Sequence, residues 1–186
     1  MTASLTKDDW KFDGNFVDVG RVAVDAWESV ARSIPDERWC TQRPDTHLAE
    51  YLEPIVLVQD EMVDPMVGEL GLAALLAPIL RVIAARYGAG IPALVSLVRL
   101  RAHTTIPHHR DGPATRPAVC TRRTHTPIVT NERVVFEVRG ERRHMARGEI
   151  VEINNWRDHG VVNDGDEDRI HLIVDWAPFA PEAMRI

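Results

Sequence analysis

The chain has 186 residues, enough for one domain with a substantial core and too few for two full ones. With 45% apolar and 27% charged residues, a disordered tail and a fibrous repeat are both excluded. The net charge of −6 is unevenly spread: residues 99–147 hold eleven arginines against Asp111, Glu132, Glu137 and Glu141. That basic stretch contains one aromatic residue, Phe136, so it lacks the stacking platforms of a single-strand nucleic-acid binder and is better suited to attract small carboxylates or an acidic peptide.

The N-terminus carries Lys7, Asp8 and Asp9 before any apolar run, so no secretory segment is expected. The longest nearly uncharged apolar run, residues 70–80, meets Arg81 well short of the roughly 20 residues that cross a bilayer. The expectation is a cytoplasmic protein with no membrane partner. Cys40 and Cys120, with no CxxC, read as two reduced, buried thiols rather than a disulfide or a thiolate zinc site.

The first 90 residues read as mostly helical. Ala23, Ala26, Trp27, Val30 and Ile34 recur at helical spacing and stop at Pro35. A second helix is expected over about residues 66–87, kinked or broken at Pro78 and closed by Gly88 and Gly90. Residues 55–58 fit one buried strand. After Pro92 the texture turns to short β-type runs at 94–101, 124–129, 134–138, 149–153 and 170–176, which suggests a sandwich or barrel. Arg139-Gly140 and Asn163-Asp164-Gly165 read as hairpin loops. The layout expected is one domain over 1–186, with a helical and irregular part, 1–91, packing on a β core, 92–178.

Seven of the eight histidines lie between His103 and His171. Within this cluster His109-Arg110-Asp111 has an HxD spacing, which in an extended segment turns both side chains to one face. His159 lies 48 residues beyond Asp111. Two imidazoles and a carboxylate on one face of a metal leave positions open, the arrangement used by non-haem Fe(II) oxygenases. Arg169, ten residues after His159, opens an apolar strand, where its guanidinium needs a partner. A planar dicarboxylate such as 2-oxoglutarate supplies one through a bidentate pair. Arg123 and His125 share a face of another expected strand and offer further donors to a carboxylate, unless that strand is a solvated edge.

These residues resemble the aspartyl/asparaginyl β-hydroxylase family of Fe(II)/2-oxoglutarate-dependent oxygenases. The resemblance runs over roughly residues 97–176, on His109-Arg110-Asp111, Arg123-Thr124-His125-Thr126-Pro127, Met145, Gly148-Glu149, Asn154-Asn155, His159, and Asn163 through Arg169-Ile170-His171-Leu172-Ile173-Val174-Asp175-Trp176. It implies a mainly β fold with N-terminal helices, built as a double-stranded β-helix (jelly-roll, cupin-like) barrel. It further implies iron on His109 and His159, the 2-oxoglutarate tail on Arg169, and His125 and Arg123 serving the other carboxylate or the substrate. The implied activity is an Fe(II)/2-oxoglutarate-dependent hydroxylation, with O2, at the β-carbon of an Asp- or Asn-like residue in a peptide or protein.

Two departures stand out. Some members use two histidines only, whereas Asp111 completes a triad here, as in bacterial members and the similar proline 3-hydroxylases. A serine that assists the co-substrate tail in some members falls at Val98. The alternatives are a hydroxylase of a free amino acid of the proline type and a non-catalytic barrel that holds a metal or a small acid; a zinc hydrolase lacks its HExxH helix. His108 is the rival ligand beside His109. His103 and His144 read as surface residues, His171 as pocket-lining or structural, Asn154 and Asn155 as the turn before His159, Trp156 as a border of the substrate or a space-filling core residue, and the remaining arginines as mostly solvated.

Overall fold

The computed structural model describes residues 14–39, 48, 50–59, 62–111 and 121–179; Cys40 and Cys120 lie outside them. The elements in order are β1 (Phe16–Arg21), α1 (Asp25–Ser33), a 3-10 turn (Asp36–Arg38), β2 (Glu53–Gln59), β3 (Met62–Val63), α2 (Met66–Glu69), α3 (Leu72–Tyr87), β4 (Gly90–Leu100), β5 (Thr104–His109), β6 (Arg122–Val129), β7 (Val134–Val138), β8 (Glu141–Arg143), β9 (Glu149–Ile153), β10 (His159–Asn163) and β11 (Arg169–Pro178). They form a seven-stranded sheet, β1-β9-β6-β11-β4-β2-β3, and a four-stranded sheet, β5-β10-β7-β8, with every pairing antiparallel. The chain is mainly β with a few helices on one face, the jelly-roll architecture expected. No helix among the described residues is long and apolar enough to cross a membrane.

Strand alternation sorts the large sheet into two faces. On β11, Ile170, Leu172, Val174 and Trp176 join the core beneath the helices, while Arg169, His171, Ile173 and Asp175 face the smaller sheet. The helices cover the outer face: Leu72, Leu76, Ile79, Ile83 and Tyr87 make one buried stripe of α3, and Trp27 of α1 donates from Nε1 to the Leu75 carbonyl at 3.0 Å. Each fully buried Leu or Ile of this stripe stabilises the fold by roughly 1.5–3 kcal/mol. A second core, with Leu100, Ile106, Phe136, Val151 and Val161, fills the space between the sheets.

Several expectations are corrected. The break in the 66–87 helix falls at Gly71, whose φ of 62° suits glycine, and not at Pro78. Pro78 is exposed on α3, where the carbonyl it leaves unbonded can turn to water. Gly88, with φ 84°, closes α3 as expected. The N-terminal part is less helical than its composition suggests, because β1, β2 and β3 extend the large sheet. Arg139-Gly140 is a two-residue hairpin loop with both φ positive, 48° and 83°, the type I′ geometry. Asn163-Asp164-Gly165 is not a hairpin: it carries the chain from β10 in one sheet to β11 in the other. Asn163 staples that crossing, donating from Nδ2 to the carbonyls of Leu100, Arg101 and Glu167. Arg99 and Arg122 are buried rather than solvated; Arg99 pairs with Asp36 and Glu53, and Arg122 lies 3.5 Å from Glu152.

Candidate active site

The site forms where the open end of the smaller sheet meets β6 and β11. β5 and β10 run side by side with His109 directly opposite His159. Ile106 points between the sheets, and strict alternation would send His108 after it. Instead β5 carries one extra residue between Ile106 and His109, a bulge that turns His109 inward and His108 out. Gly160 stands across from the bulge, where a Cβ would lie 2.9 Å from His108 Cδ2 and 3.1 Å from the Ile106 carbonyl oxygen. His108 stays outside the cluster, its Nδ1 2.9 Å from Asp158 and its Nε2 3.5 Å from Glu137.

Donor atoms of His109, Asp111 and His159 all lie within 4.8 Å of one another. Nε2 of His109 is 3.5 Å and Nε2 of His159 4.0 Å from Asp111 Oδ1, and the two rings are 4.2 Å apart. Each ring has its Nδ1 2.9 Å from a backbone carbonyl, Pro107 for His109 and Arg157 for His159. A carbonyl only accepts, so Nδ1 carries the proton in both and the Nε2 lone pairs are left for the cluster. Asp111 is anchored at its other oxygen. Oδ2 accepts from Asn155 Nδ2 at 2.7 Å and from Arg123 Nη1, while the Asp111 N–H donates to the Asn155 carbonyl at 3.0 Å. Arg123 in turn grips Asp175, its cross-strand partner on β11, with Nε to Oδ1 at 2.8 Å and Nη2 to Oδ2 at 2.7 Å.

The electrostatics suit a cation. Burial would raise the Asp111 pKa, but the Arg123 guanidinium, His109 and Asn155 outweigh it and hold the carboxyl well below the usual range. Burial lowers the His159 pKa and keeps that ring neutral; in His109 burial is outweighed by Asp111 and the Pro107 carbonyl, and its pKa is raised. Two imidazoles and one ionised carboxylate, with no thiolate, fit a divalent transition metal such as Fe(II).

Behind this cluster the pocket wall changes character. Arg169 is 1% exposed, faces no carboxylate among the described residues, and has no hydrogen-bond partner at Nε. Its guanidinium lies over the Phe136 ring, 5.2 Å from the centroid, and burial pushes its pKa down to about 9. His125, on the internal strand β6 and therefore not on a solvated edge, lines the same pocket with both ring nitrogens unpartnered. Burial, with Arg169 nearby, lowers its pKa well below the ordinary value. His171 is fully buried behind it, stacked on Phe136 at 5.6 Å, and both its ring nitrogens are also unpartnered. The buried Arg169 and His125 that line the pocket, with Nε and both ring nitrogens lacking hydrogen-bond partners among the described residues, fit an anionic ligand. Val98, Ile106, Ile153, Val161 and Ile173 make the rest of the wall apolar, and Leu48 and Leu52 close part of it from the N-terminal half.

All six residues singled out from sequence, His109, Asp111, His159, Arg169, His125 and Arg123, line this one pocket. Arg123 sits there with its guanidinium engaged by two carboxylates. Val98 lines the pocket too, and contributes no hydroxyl. His103 is exposed, 3.3 Å from Asp166, and His144 is half-buried with Nδ1 2.9 Å from the Val134 carbonyl. Sequence reasoning missed four contributors. Asn155 reads as a turn residue yet holds Asp111; Asp175 shares the strand parity of Arg169, which was the available signal; Leu48 and Leu52 gave none.

Comparisons with known proteins agree with this fold. The profile of the family described as aspartyl/asparaginyl β-hydroxylase matches residues 77–178. None of the curated protein sequences compared with this chain matches it. Among solved structures, AviO1 from Streptomyces viridochromogenes Tue57 is similar over 96% of this chain and 98% of its own, with a TM-score of 0.58 at 16% identity. A 2OG-Fe(II) oxygenase family oxidoreductase from Burkholderia pseudomallei is similar over 85% of this chain and 91% of its own, with a TM-score of 0.54 at 12% identity. The viral collagen prolyl hydroxylase of Paramecium bursaria Chlorella virus-1, solved with 2OG, is similar over 90% and 98%, with a TM-score of 0.56 at 8% identity. At these identities the likeness is one of fold.

Proposed function

This chain belongs to the aspartyl/asparaginyl β-hydroxylase family, enzymes of the oxidoreductase class, and from that premise we propose that it is an Fe(II)/2-oxoglutarate-dependent dioxygenase that hydroxylates an Asp- or Asn-like residue of a peptide or protein. The observation that carries this reading is the joining of two unlike halves in one pocket: a cation site of His109, Asp111 and His159, and behind it a buried Arg169 with no carboxylate partner among the described residues. A plain metal-binding barrel has no need to bury a guanidinium, whose desolvation costs several kcal/mol until an anion arrives.

In this reading His109, Asp111 and His159 hold the iron, with both histidines locked as Nδ1–H tautomers by backbone carbonyls and Asp111 kept ionised. Arg169 takes the far carboxylate of 2-oxoglutarate by a bidentate pair, and the single N–H of the neutral His125 ring offers a donor to the co-substrate. The chemistry that ferrous iron with 2-oxoglutarate supplies when bound is insertion of one oxygen atom of O2 into a C–H bond, coupled to conversion of the keto acid to succinate and carbon dioxide. The chain's own task is to orient the co-substrate and to keep water from the reacting atoms, which the apolar wall with Leu48 and Leu52 serves.

The test is succinate release by the purified chain with Fe(II), ascorbate, 2-oxoglutarate and oxygen, run with Asp- or Asn-containing peptides, with free proline and other amino acids, and with no substrate. Peptide-dependent succinate and a product 16 Da heavier on an Asp or Asn are expected, as one added oxygen atom requires. Stimulation by a free amino acid alone would move the substrate to the proline type. No turnover under any condition would leave a binding protein and refute the enzyme.

A further inference from the structure

Asp111 is the acidic ligand in the reading above, and a carboxylate on a loop has two equivalent oxygens and free rotation unless something fixes it. Here Oδ2 is occupied twice, by Asn155 Nδ2 at 2.7 Å and by Arg123 Nη1, and Oδ1 alone is left toward the two imidazole Nε2 atoms. The arginine is itself immobilised: Nε and Nη2 form a bidentate pair with Asp175, whose side chain is 5% exposed. The order along this face is therefore carboxylate, guanidinium, carboxylate, anchored by direct cross-strand pairing of Arg123 on β6 with Asp175 on β11.

Asp175 also answers an electrostatic question. A lone Arg123 against Asp111 would cancel the ligand's charge and repel an incoming dication. With Asp175 neutralising the arginine, the trio keeps one net negative charge, and Asp111 remains an attractive ligand. Resting on the triad reading above, we propose that Arg123 and Asp175 form a positioning device for Asp111, making it bind the metal through Oδ1 alone while shielding it from the arginine's charge. Arg123 thereby acts on the metal through Asp111, not as the main receptor for a co-substrate carboxylate, which falls to Arg169 and His125.

The probe is Co(II), titrated into the metal-free full-length chain and followed by its visible absorption, with 2-oxoglutarate affinity measured separately by calorimetry on the Co(II)-loaded protein. Asp175→Asn is expected to weaken Co(II) binding by about 10-fold or more, the usual cost of losing a partner of a metal ligand, and to alter the Co(II) band shape as the Asp111 carboxylate is freed to rotate. With saturating Co(II), its 2-oxoglutarate affinity should stay within about threefold of wild type. In an Asp111→Ala background, Asp175→Asn should cost clearly less in Co(II) affinity than it does beside an intact Asp111, leaving only the repulsion by the bare Arg123 guanidinium, whereas a general loss of structure would cost the same in both. A folded Asp175→Asn protein with wild-type Co(II) affinity, an equal loss in the Asp111→Ala background, or a loss confined to 2-oxoglutarate would each overturn the proposal. Should circular dichroism show that Asp175→Asn does not fold, Asn155→Ala decides, since it removes the other bond to Oδ2: several-fold weaker Co(II) binding supports the proposal, unchanged affinity refutes it. Failure of the wild type to bind Co(II), or undiminished binding by His159→Ala, would overturn the triad itself and this device with it.

Discussion

Arg169 offers the sharpest test, because the site makes two readouts move in opposite directions. Its guanidinium is 1% exposed and has no carboxylate partner among the described residues, and burial pushes its pKa down from the ordinary arginine value to about 9. At 1.36 kcal/mol per pKa unit, that shift corresponds to about 5 kcal/mol of unrelieved desolvation in the ligand-free fold. The folded-state pKa is depressed, so this burden is present at every pH below about 9, and the residue is charged at pH 7. Arg169→Met keeps the length of the stem over Phe136 and removes the charge. Replacing a buried charge by an apolar group of similar volume typically stabilises by roughly 1–4 kcal/mol, and for a chain of this size each kcal/mol moves Tm by about 2–4 °C. The ligand-free variant should therefore melt higher than wild type by about 2–16 °C. The co-substrate should behave in the opposite way. Loss of a buried charge pair costs about 2–5 kcal/mol, so 2-oxoglutarate should bind at least about 30-fold more weakly and no longer raise Tm. Differential scanning fluorimetry with and without 2-oxoglutarate, in the presence of Co(II), reads both. A variant that melts several degrees lower without ligand would mean that Arg169 has a structural partner, and an unchanged 2-oxoglutarate affinity would refute its assigned role.

The bulge in β5 predicts a contrast between neighbours: His109→Ala should abolish stoichiometric Co(II) binding, while His108→Ala, on the exposed side against Asp158 and Glu137, should bind within about twofold of wild type by the same titration. The metal-free protein should lose stability on acidification from pH 7 to 5.5. Burial lowers the folded-state pKa of His125 and His171, so the unfolded chain takes up protons near pH 6.5 that the folded chain does not, at about 1 kcal/mol for each histidine by pH 5.5. His109, whose pKa is raised, works the other way, gaining stability below the unfolded value, and Asp111 does not titrate in this window in either state. Comparison with His171→Leu isolates one contribution. In urea titrations the variant's drop between the two pH values should be smaller by about 1 kcal/mol, and an identical drop would show that His171 is not held neutral.

What the sequence determined was the chemistry and the local conformations set by neighbouring residues. HxD followed by a distant histidine and then an arginine opening an apolar strand marked all of the ligand types, because side-chain alternation on a strand is a purely local rule. β7 and β9 could be read to the residue, and the Arg139-Gly140 hairpin likewise, since two adjacent positive-φ positions need no partner to be recognised. Local rules failed where the partner was remote. β1, β3, β5, β8 and β10 carry weak patterns of their own and exist as strands because of what they pair with; two of them hold His109 and His159. The choice of His109 over His108 is made by the bulge opposite Gly160, the role of Asn155 by its approach to Asp111, and the occupation of Arg123 by a carboxylate 52 positions away. Pro78 stays inside a helix on its exposed side, where the Ala74 carbonyl that it leaves unbonded is open to water. Residue types fix what a site can do, but which of two adjacent imidazoles does it depends on register, and register is a property of pairs of strands.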